Sequence, residues 1–274
     1  MKVLLLGSKG LVGTAIEKSL EYSDFEYTAL SHDSLDITDS DALKDRVALE
    51  QPDFIINAVG IVGVNPCEED PTRAFAVNVS PVIDLSVLCD RYDIALVQLS
   101  THSVFDGTKD DYYTEPDIPR PVNVYGLSKL TSELVTMMCR KPYVVRMPTL
   151  FGDRRKGRLG FPNKIFEMLD EGKDITVADD KLDSCSYSDD VADRIIELLE
   201  LPYGIYHIAN AGKATYYEVI EEAKRLMGSS SVLTRGKDGD FMHHPNALRT
   251  AMKSAKLPPL RPWQDALKEY LDGS

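Results

Sequence analysis

The chain has 274 residues, 44 acidic against 31 basic side chains and a net charge of −13. That length is enough for one large core, or a main domain with a smaller lobe, and an apolar share of 43% is ordinary for a globular protein. The acidic balance speaks against nucleic acid and anionic membrane as partners, and no uninterrupted apolar run is expected to span a bilayer. Cys67, Cys89, Cys139 and Cys185 show no Cys-x-x-Cys spacing, so a reduced, cytoplasmic protein without a metal site is expected.

Residues 3–6 read as a first buried strand; the apolar run is too brief for a secretory prefix and meets glycines at once. A helix over 12–20, a strand over 25–30, a helix over 39–49 and an apolar strand over 54–59 follow. Residues 74–89 have the period of a long helix that Pro81 bends or splits. A fourth strand covers 94–99 and ends at Ser100-Thr101. A helix carrying Tyr125 and Lys129 runs to about residue 138, and 143–146 is another strand. Strands alternating with helices predict an α/β fold, a Rossmann-type parallel sheet covered on both faces and spanning residues 1–150.

After Pro148 the rhythm changes. The basic segment 154–158 reads as a loop, 164–169 as a helix, 175–177 as a short strand, 189–199 as a helix and 205–208 as a small strand. Residues 216–226 are amphipathic, 228–240 are polar and expected to be exposed, and a last helix opens at Pro262-Trp263 and runs to 271. Residues 151–274 are therefore expected to form mainly a smaller C-terminal substrate lobe, with room for elements that return to the core.

The turn Gly7-Ser-Lys-Gly-Leu-Val-Gly13 directly follows the first strand. Missing side chains at Gly7, Gly10 and Gly13 let backbone approach a pyrophosphate, and the start of a helix at Leu11 and Val12 adds free N–H groups and a favourable dipole. Lys9 is either a phosphate contact or a solvated turn residue. The exit of strand two reads Ser31-His32-Asp33. Ser31 is not acidic and His32 suits a phosphate, whereas Asp33 suits a ribose hydroxyl, so the balance tilts a little towards NADPH over NADH. Asp36 and Ile37 are placed beside the adenine, and Ala58, Val59 and Gly60 near ribose and pyrophosphate.

Tyr125 and Lys129 are four residues apart and share a helix face. A nearby ammonium favours the phenolate and eases proton exchange with a substrate oxygen, and the lysine can also hold a nicotinamide ribose. Thr101 is placed to hydrogen-bond the same oxygen, with Ser100 as the alternative should the strand register differ. Together with the glycine turn, these residues predict reduction of a carbonyl.

These segments resemble the dTDP-4-dehydrorhamnose reductase family, within the extended short-chain dehydrogenases/reductases. The resemblance runs almost end to end, through Leu35-Asp-Ile-Thr-Asp39, Pro52-Asp-Phe-Ile-Ile-Asn-Ala58, Ser100-Thr-His-Ser-Val-Phe-Asp-Gly107, Pro121-Val-Asn-Val-Tyr-Gly-Leu-Ser-Lys129, Gly204-Ile-Tyr-His-Ile-Ala209 and Arg261-Pro-Trp-Gln-Asp-Ala-Leu267. It implies a catalytic trio of Thr101, Tyr125 and Lys129 reducing the C4 ketone of a nucleotide-linked 6-deoxyhexulose with NADPH or NADH. That reaction completes dTDP-L-rhamnose for cell-surface polysaccharide. Three departures stand out: His102-Ser103 replaces the usual Asp-Tyr, Thr149 stands where the family has a sugar-facing tryptophan, and Val64-Asn65 replaces Val-Asp while Glu68 keeps the family's acidic position. A smaller, more polar pocket and a different keto sugar are implied, with His102, Ser103 and Thr149 as substrate candidates. Arg154, Arg155 and Arg158 are candidates to clamp the substrate diphosphate. Arg146-Met-Pro-Thr-Leu-Phe-Gly152 is closer in style to the regulatory beta subunit of methionine adenosyltransferase. This leaves a dinucleotide-binding subunit of a partner enzyme as the alternative. A homodimer is compatible with either.

Overall fold

The computed structural model describes residues 1–153 and 160–273. Its first half runs β1 (Lys2–Leu6), α1 (Leu11–Glu21), β2 (Glu26–Leu30), α2 (Ser40–Glu50), β3 (Phe54–Asn57), α3 (Val64–Glu69), α4 (Pro71–Asn78), α5 (Ser80–Tyr92), β4 (Ala95–Thr101), α6 (Val124–Thr136) and β5 (Pro142–Met147). The second half runs β6 (Leu150–Phe151), α7 (Asn163–Asp170), β7 (Ile175–Ala178), β8 (Leu182–Asp183), β9 (Ser186–Tyr187), α8 (Ser188–Leu198) and β10 (Gly204–His207). It ends with β11 (Ala214–Thr215), α9 (Tyr216–Met227), β12 (Leu233–Gly236) and α10 (Trp263–Asp272).

The main sheet has the order β10-β5-β4-β3-β1-β2, and every neighbouring pair is parallel. Its strands read as apolar runs because both faces are covered. Val3, Leu5, Ile56, Val97 and Val145 meet Ile16 of α1 and Ile195 of α8, while Leu4, Leu6, Ile55 and Leu96 meet Leu43 of α2 and Leu85 of α5. The chain steps outward from β1 to β2 and returns across β1 to β3. This reversal opens a crevice at the carboxyl ends of the strands, where ligands of such sheets sit.

Several boundaries differ from expectation. β3 stops at Asn57, whose side-chain oxygen accepts from Val59 N at 3.2 Å and turns the chain away from the ladder. β4 continues to Thr101, with Ser100 opposite Arg146 and Thr101 opposite Met147. The helix expected over 74–89 is two helices that meet at Val79, with Pro81 in the first turn of α5, where no N–H is missed. The whole stretch Pro71–Tyr92 is, by length and composition, apolar enough to cross a membrane, which qualifies the expectation of no such run. Val82, Leu85 and Leu88 of this stretch pack into the core beneath the sheet.

The lobe has its own apolar cluster, which joins Phe151, Phe166, Tyr187, Ile220 and Trp263, with three two-stranded ladders around it. The small strand expected at 205–208 is β10, the outer strand of the main sheet, while α8 packs against α1. The expectation that 228–240 is simply exposed is corrected. β12 pairs in parallel with β7, and Ser231 and Asp238 are buried. Leu233 is the only apolar residue in this four-residue strand, so no period reveals it.

Candidate active site

The glycine turn is knitted to the exit of β2: Gly7 N and Ser8 N both donate to Leu30 O, at 2.7 and 3.0 Å. Gly7 has φ +90°, and a Cβ there would lie 2.9 Å from the carbonyl carbon of Ala58. A Cβ at Gly13 would lie 2.0 Å from Gly7 O, so α1 can lie against the turn only without a side chain at that position. Gly10 is the N-cap of α1, and no side chain caps this end. Its first-turn N–H groups and the positive end of its dipole therefore suit a phosphate.

Lys9, half-buried, and Asp33, exposed, face each other at 2.7 Å across the mouth between this turn and the β2 exit. His32 is exposed and Ser31 is buried, with its N–H donating to Ser34 Oγ at 3.0 Å. Asp36 accepts from Thr38 Oγ1 at 2.7 Å and Thr38 N at 2.9 Å, and these bonds hold its carboxyl below the usual range. The Ile37 side chain is buried in the core with Leu35. At the β3 exit, Ala58 N donates to Leu6 O at 2.9 Å. Asn78 accepts from Ile61 N at 2.7 Å and donates to Ser128 Oγ at 2.9 Å, which ties this exit to α6. A Cβ on Gly60 would lie 3.1 Å from Asn78 Oδ1 and 3.8 Å from Lys129 Nζ. The turn, the β3 exit and Lys129 thus border one crevice whose backbone fits a dinucleotide.

The first turn of α6 is fixed from both sides. Asn123 Oδ1 accepts from Gly126 N and Glu68 Oε1 from Val124 N, both at 2.8 Å. Gly126 lets this helix lie on the turn after β4, since a Cβ would meet Ser103 O at 2.1 Å. Tyr125 and Lys129 are thereby placed under the β4 exit, with the Thr101 side chain close enough to the Tyr125 hydroxyl to favour loss of its proton. Burial pushes the Tyr125 phenol up to about 12, against a lowering by Thr101. The lowering expected from Lys129 is not among the influences on Tyr125. Burial also brings Lys129 down to about 8, opposed by Glu133 and Cys67. Near neutral pH the tyrosine is protonated and the lysine is predominantly an ammonium, so both hold protons to give.

Ser100 is not free to act in place of Thr101. Its hydroxyl donates to Glu133 Oε1 at 2.5 Å, and Glu133 is in turn gripped by Arg146, whose Nη2 lies 2.7 Å from Oε2. His102 is buried, with Nδ1 3.6 Å from Asp183 Oδ2, beyond hydrogen-bond range. Burial lowers it to about 4, against the pull of Asp183, so it is neutral at pH 7. Ser103 is buried and its N–H donates to Thr101 Oγ1 at 3.1 Å. Thr149 N donates to Asp183 Oδ2 at 3.0 Å, and the Thr149 hydroxyl pairs with Tyr216 OH at 2.7 Å. Arg154, Arg155 and Arg158 lie outside the described residues. Asp183, Tyr216, Asn78 and Glu133 were not found from the sequence. Each meets its partners across the fold, and only Glu133, one helical turn beyond Lys129, carried a local signal in its spacing.

The family model described as "RmlD substrate binding domain" matches residues 1–274. A dTDP-4-dehydrorhamnose reductase from Streptomyces griseus is 30% identical over 282 residues, covering 97% of this chain and 91% of that protein. A solved dTDP-4-dehydrorhamnose reductase structure from Clostridium acetobutylicum superimposes with a TM-score of 0.92 at 26% identity and covers 99% of both chains. A Bacillus anthracis structure in complex with NADP shares the fold, with a TM-score of 0.92 at 22% identity, over 100% of this chain and 99% of that one. With a match over its full length and a site at the strand exits, the chain belongs to the dTDP-4-dehydrorhamnose reductase family.

Proposed function

We propose that the protein is an NAD(P)H-dependent ketoreductase that reduces the 4-keto group of a nucleotide-linked 6-deoxyhexulose. The observation that carries this reading is Lys129 Nζ beside Gly60 at the β3 exit, with Tyr125 one helical turn earlier on α6 and next to Thr101. The bound dinucleotide supplies the hydride. Tyr125 gives its proton to the carbonyl oxygen, and Thr101 donates a hydrogen bond to the same atom as charge grows there. Lys129 holds the nicotinamide ribose and keeps positive charge near Tyr125, easing the loss of its proton. Gly7, Gly10 and Gly13, with the first N–H groups of α1, hold the pyrophosphate.

Lys9 favours NADPH slightly over NADH, while its partner Asp33 keeps a ribose hydroxyl acceptable. On the sugar side, Thr149, His102 and Ser103 in place of the family's residues would make a smaller and more polar pocket, with the Tyr216 ring remaining beside Thr149. This supports a keto sugar other than the rhamnose precursor. The test is NADPH oxidation with enzymatically generated dTDP-4-keto-6-deoxyhexose and related keto sugars. Tyr125→Phe should bind NADPH normally and lose roughly 10²–10⁴-fold in kcat. Unchanged turnover in that variant would discard the mechanism. Tight dinucleotide binding without turnover of any keto sugar would favour a regulatory subunit instead.

A further inference from the structure

Tyr125, Lys129 and Glu133 recur at every fourth position of α6 and share its buried side. The Glu133 carboxylate is engaged elsewhere than on the lysine. It accepts from Arg146 Nε at 3.0 and 3.1 Å, from Arg146 Nη2 at 2.7 Å and from Ser100 Oγ at 2.5 Å. Glu133 and Arg146 side chains are each 2% exposed. Arg146 is backed by the Phe105 ring at 5.2 Å and by His207 Nε2 at 3.4 Å from Nη1. Burial keeps His207 neutral, at about 4, and Glu115 accepts from its backbone N–H at 3.0 Å.

An ion pair buried this deeply is a weak source of net stability, and apolar residues of like volume often serve as well. Its placement suggests another task. A carboxylate one turn from Lys129, in so dry a setting, would draw the ammonium onto itself if nothing else neutralised it. Lys129 Nζ lies instead by Gly60, at the crevice.

Resting on the ketoreductase reading, we propose that Arg146 and Glu133 are positioning residues: Arg146 occupies Glu133 so that the Lys129 ammonium stays turned to the β3 exit, and the remaining field of Glu133 keeps that ammonium protonated. Lys129 faces Glu133 from α6 and Cys67 from α3, while Gly60 at the β3 exit and Asn78 beside it bring no charge. Burial pushes the Cys67 thiol up to about 11, so it is uncharged. Glu133 is therefore the acidic charge that acts on Lys129 among the described residues.

The two partners should act in opposite senses. Glu133→Gln removes the negative charge, and the alkaline limb of the kcat profile, set by loss of the Lys129 proton, should fall by about one pH unit. Arg146→Met releases Glu133 to Lys129, and the limb should rise by a similar amount while NADPH affinity weakens about tenfold, as the ammonium leaves the crevice. The double variant Glu133→Gln/Arg146→Met buries no charge and guards against misfolding of the single arginine variant; its limb should fall like that of Glu133→Gln. NADPH affinity, read by fluorescence titration across the same pH range, gives a second readout that needs no sugar. Shifts of the same sign in both single variants, or none in Glu133→Gln and the double variant, overturn the assignment. Should the wild type bind NADPH and reduce no keto sugar, the ketoreductase reading fails alone, and the binding profiles still decide between these outcomes.

Discussion

Lowering the pH should unfold this protein in a way that can be traced to His102. The residue is 7% exposed, with the Asp183 carboxylate and the Met147 backbone beside its ring, and burial takes its pKa from 6.5 to about 4. The unfolded chain therefore binds a proton between those values that the folded chain refuses. The stability that comes from the neutral buried ring is fully present above pH 6.5 and is lost as the pH falls towards 4. A depression of about 2.5 units at about 1.4 kcal/mol per unit makes the full loss about 3.5 kcal/mol, of which about 3 falls between pH 7 and pH 4. In His102→Asn this linkage is gone, though the variant starts less stable at pH 7. Urea unfolding at pH 7, 6, 5 and 4 should show the wild type losing about 3 kcal/mol more than the variant over that range. His207, lowered for the same reason, is present in both proteins and cancels from the difference. Parallel stability curves would refute the argument and mean that His102 accepts a proton in the folded state.

Further predictions concern the dinucleotide crevice. Gly13→Ala places a Cβ 2.0 Å from Gly7 O, so the turn has to open and NADPH affinity should fall by roughly 100-fold in fluorescence titrations. Normal binding would mean that the turn can relax. Lys9→Met should raise the NADPH Kd about fivefold and leave NADH nearly unchanged, the order of one exposed charge contact. Asp33→Asn should do the reverse, tightening NADPH and weakening NADH. Identical effects on the two coenzymes would place the ribose 2′ position away from this pair.

Much of the fold was legible because the relevant physics is local. The apolar run ending at Gly7, the alternation of strand and helix, and Pro81 as a break all act over a few residues. What escaped depends on partners far along the chain. The strand at 205–208 is legible, but its place at the edge of the main sheet emerges only through the pairing of β10 with β5, about 60 residues earlier. β12 has one apolar side chain and exists because β7 lies beside it. In the site, Tyr125 and Lys129 announce themselves by an i, i+4 spacing, whereas Asp183 reaches Thr149 across 34 residues and Tyr216 reaches it across 67. Ser100 is an alternative to Thr101 only while the strand register is open; the observed register turns its hydroxyl to Glu133.

The return of α8 and β10 to the main sheet bears on how this enzyme could be re-engineered. The lobe is not a tail that can be exchanged at one cut. It consists of two stretches, one between β5 and α8 and one after β10, and the chain sews them together through the core. Replacing everything after residue 150 with a relative's sequence would also import a foreign outer strand against β5 and a foreign helix against α1. A chimera meant to borrow another sugar pocket needs three junctions, placed after β5, before α8 and after β10, so that the host keeps its own sheet edge while the pocket changes hands.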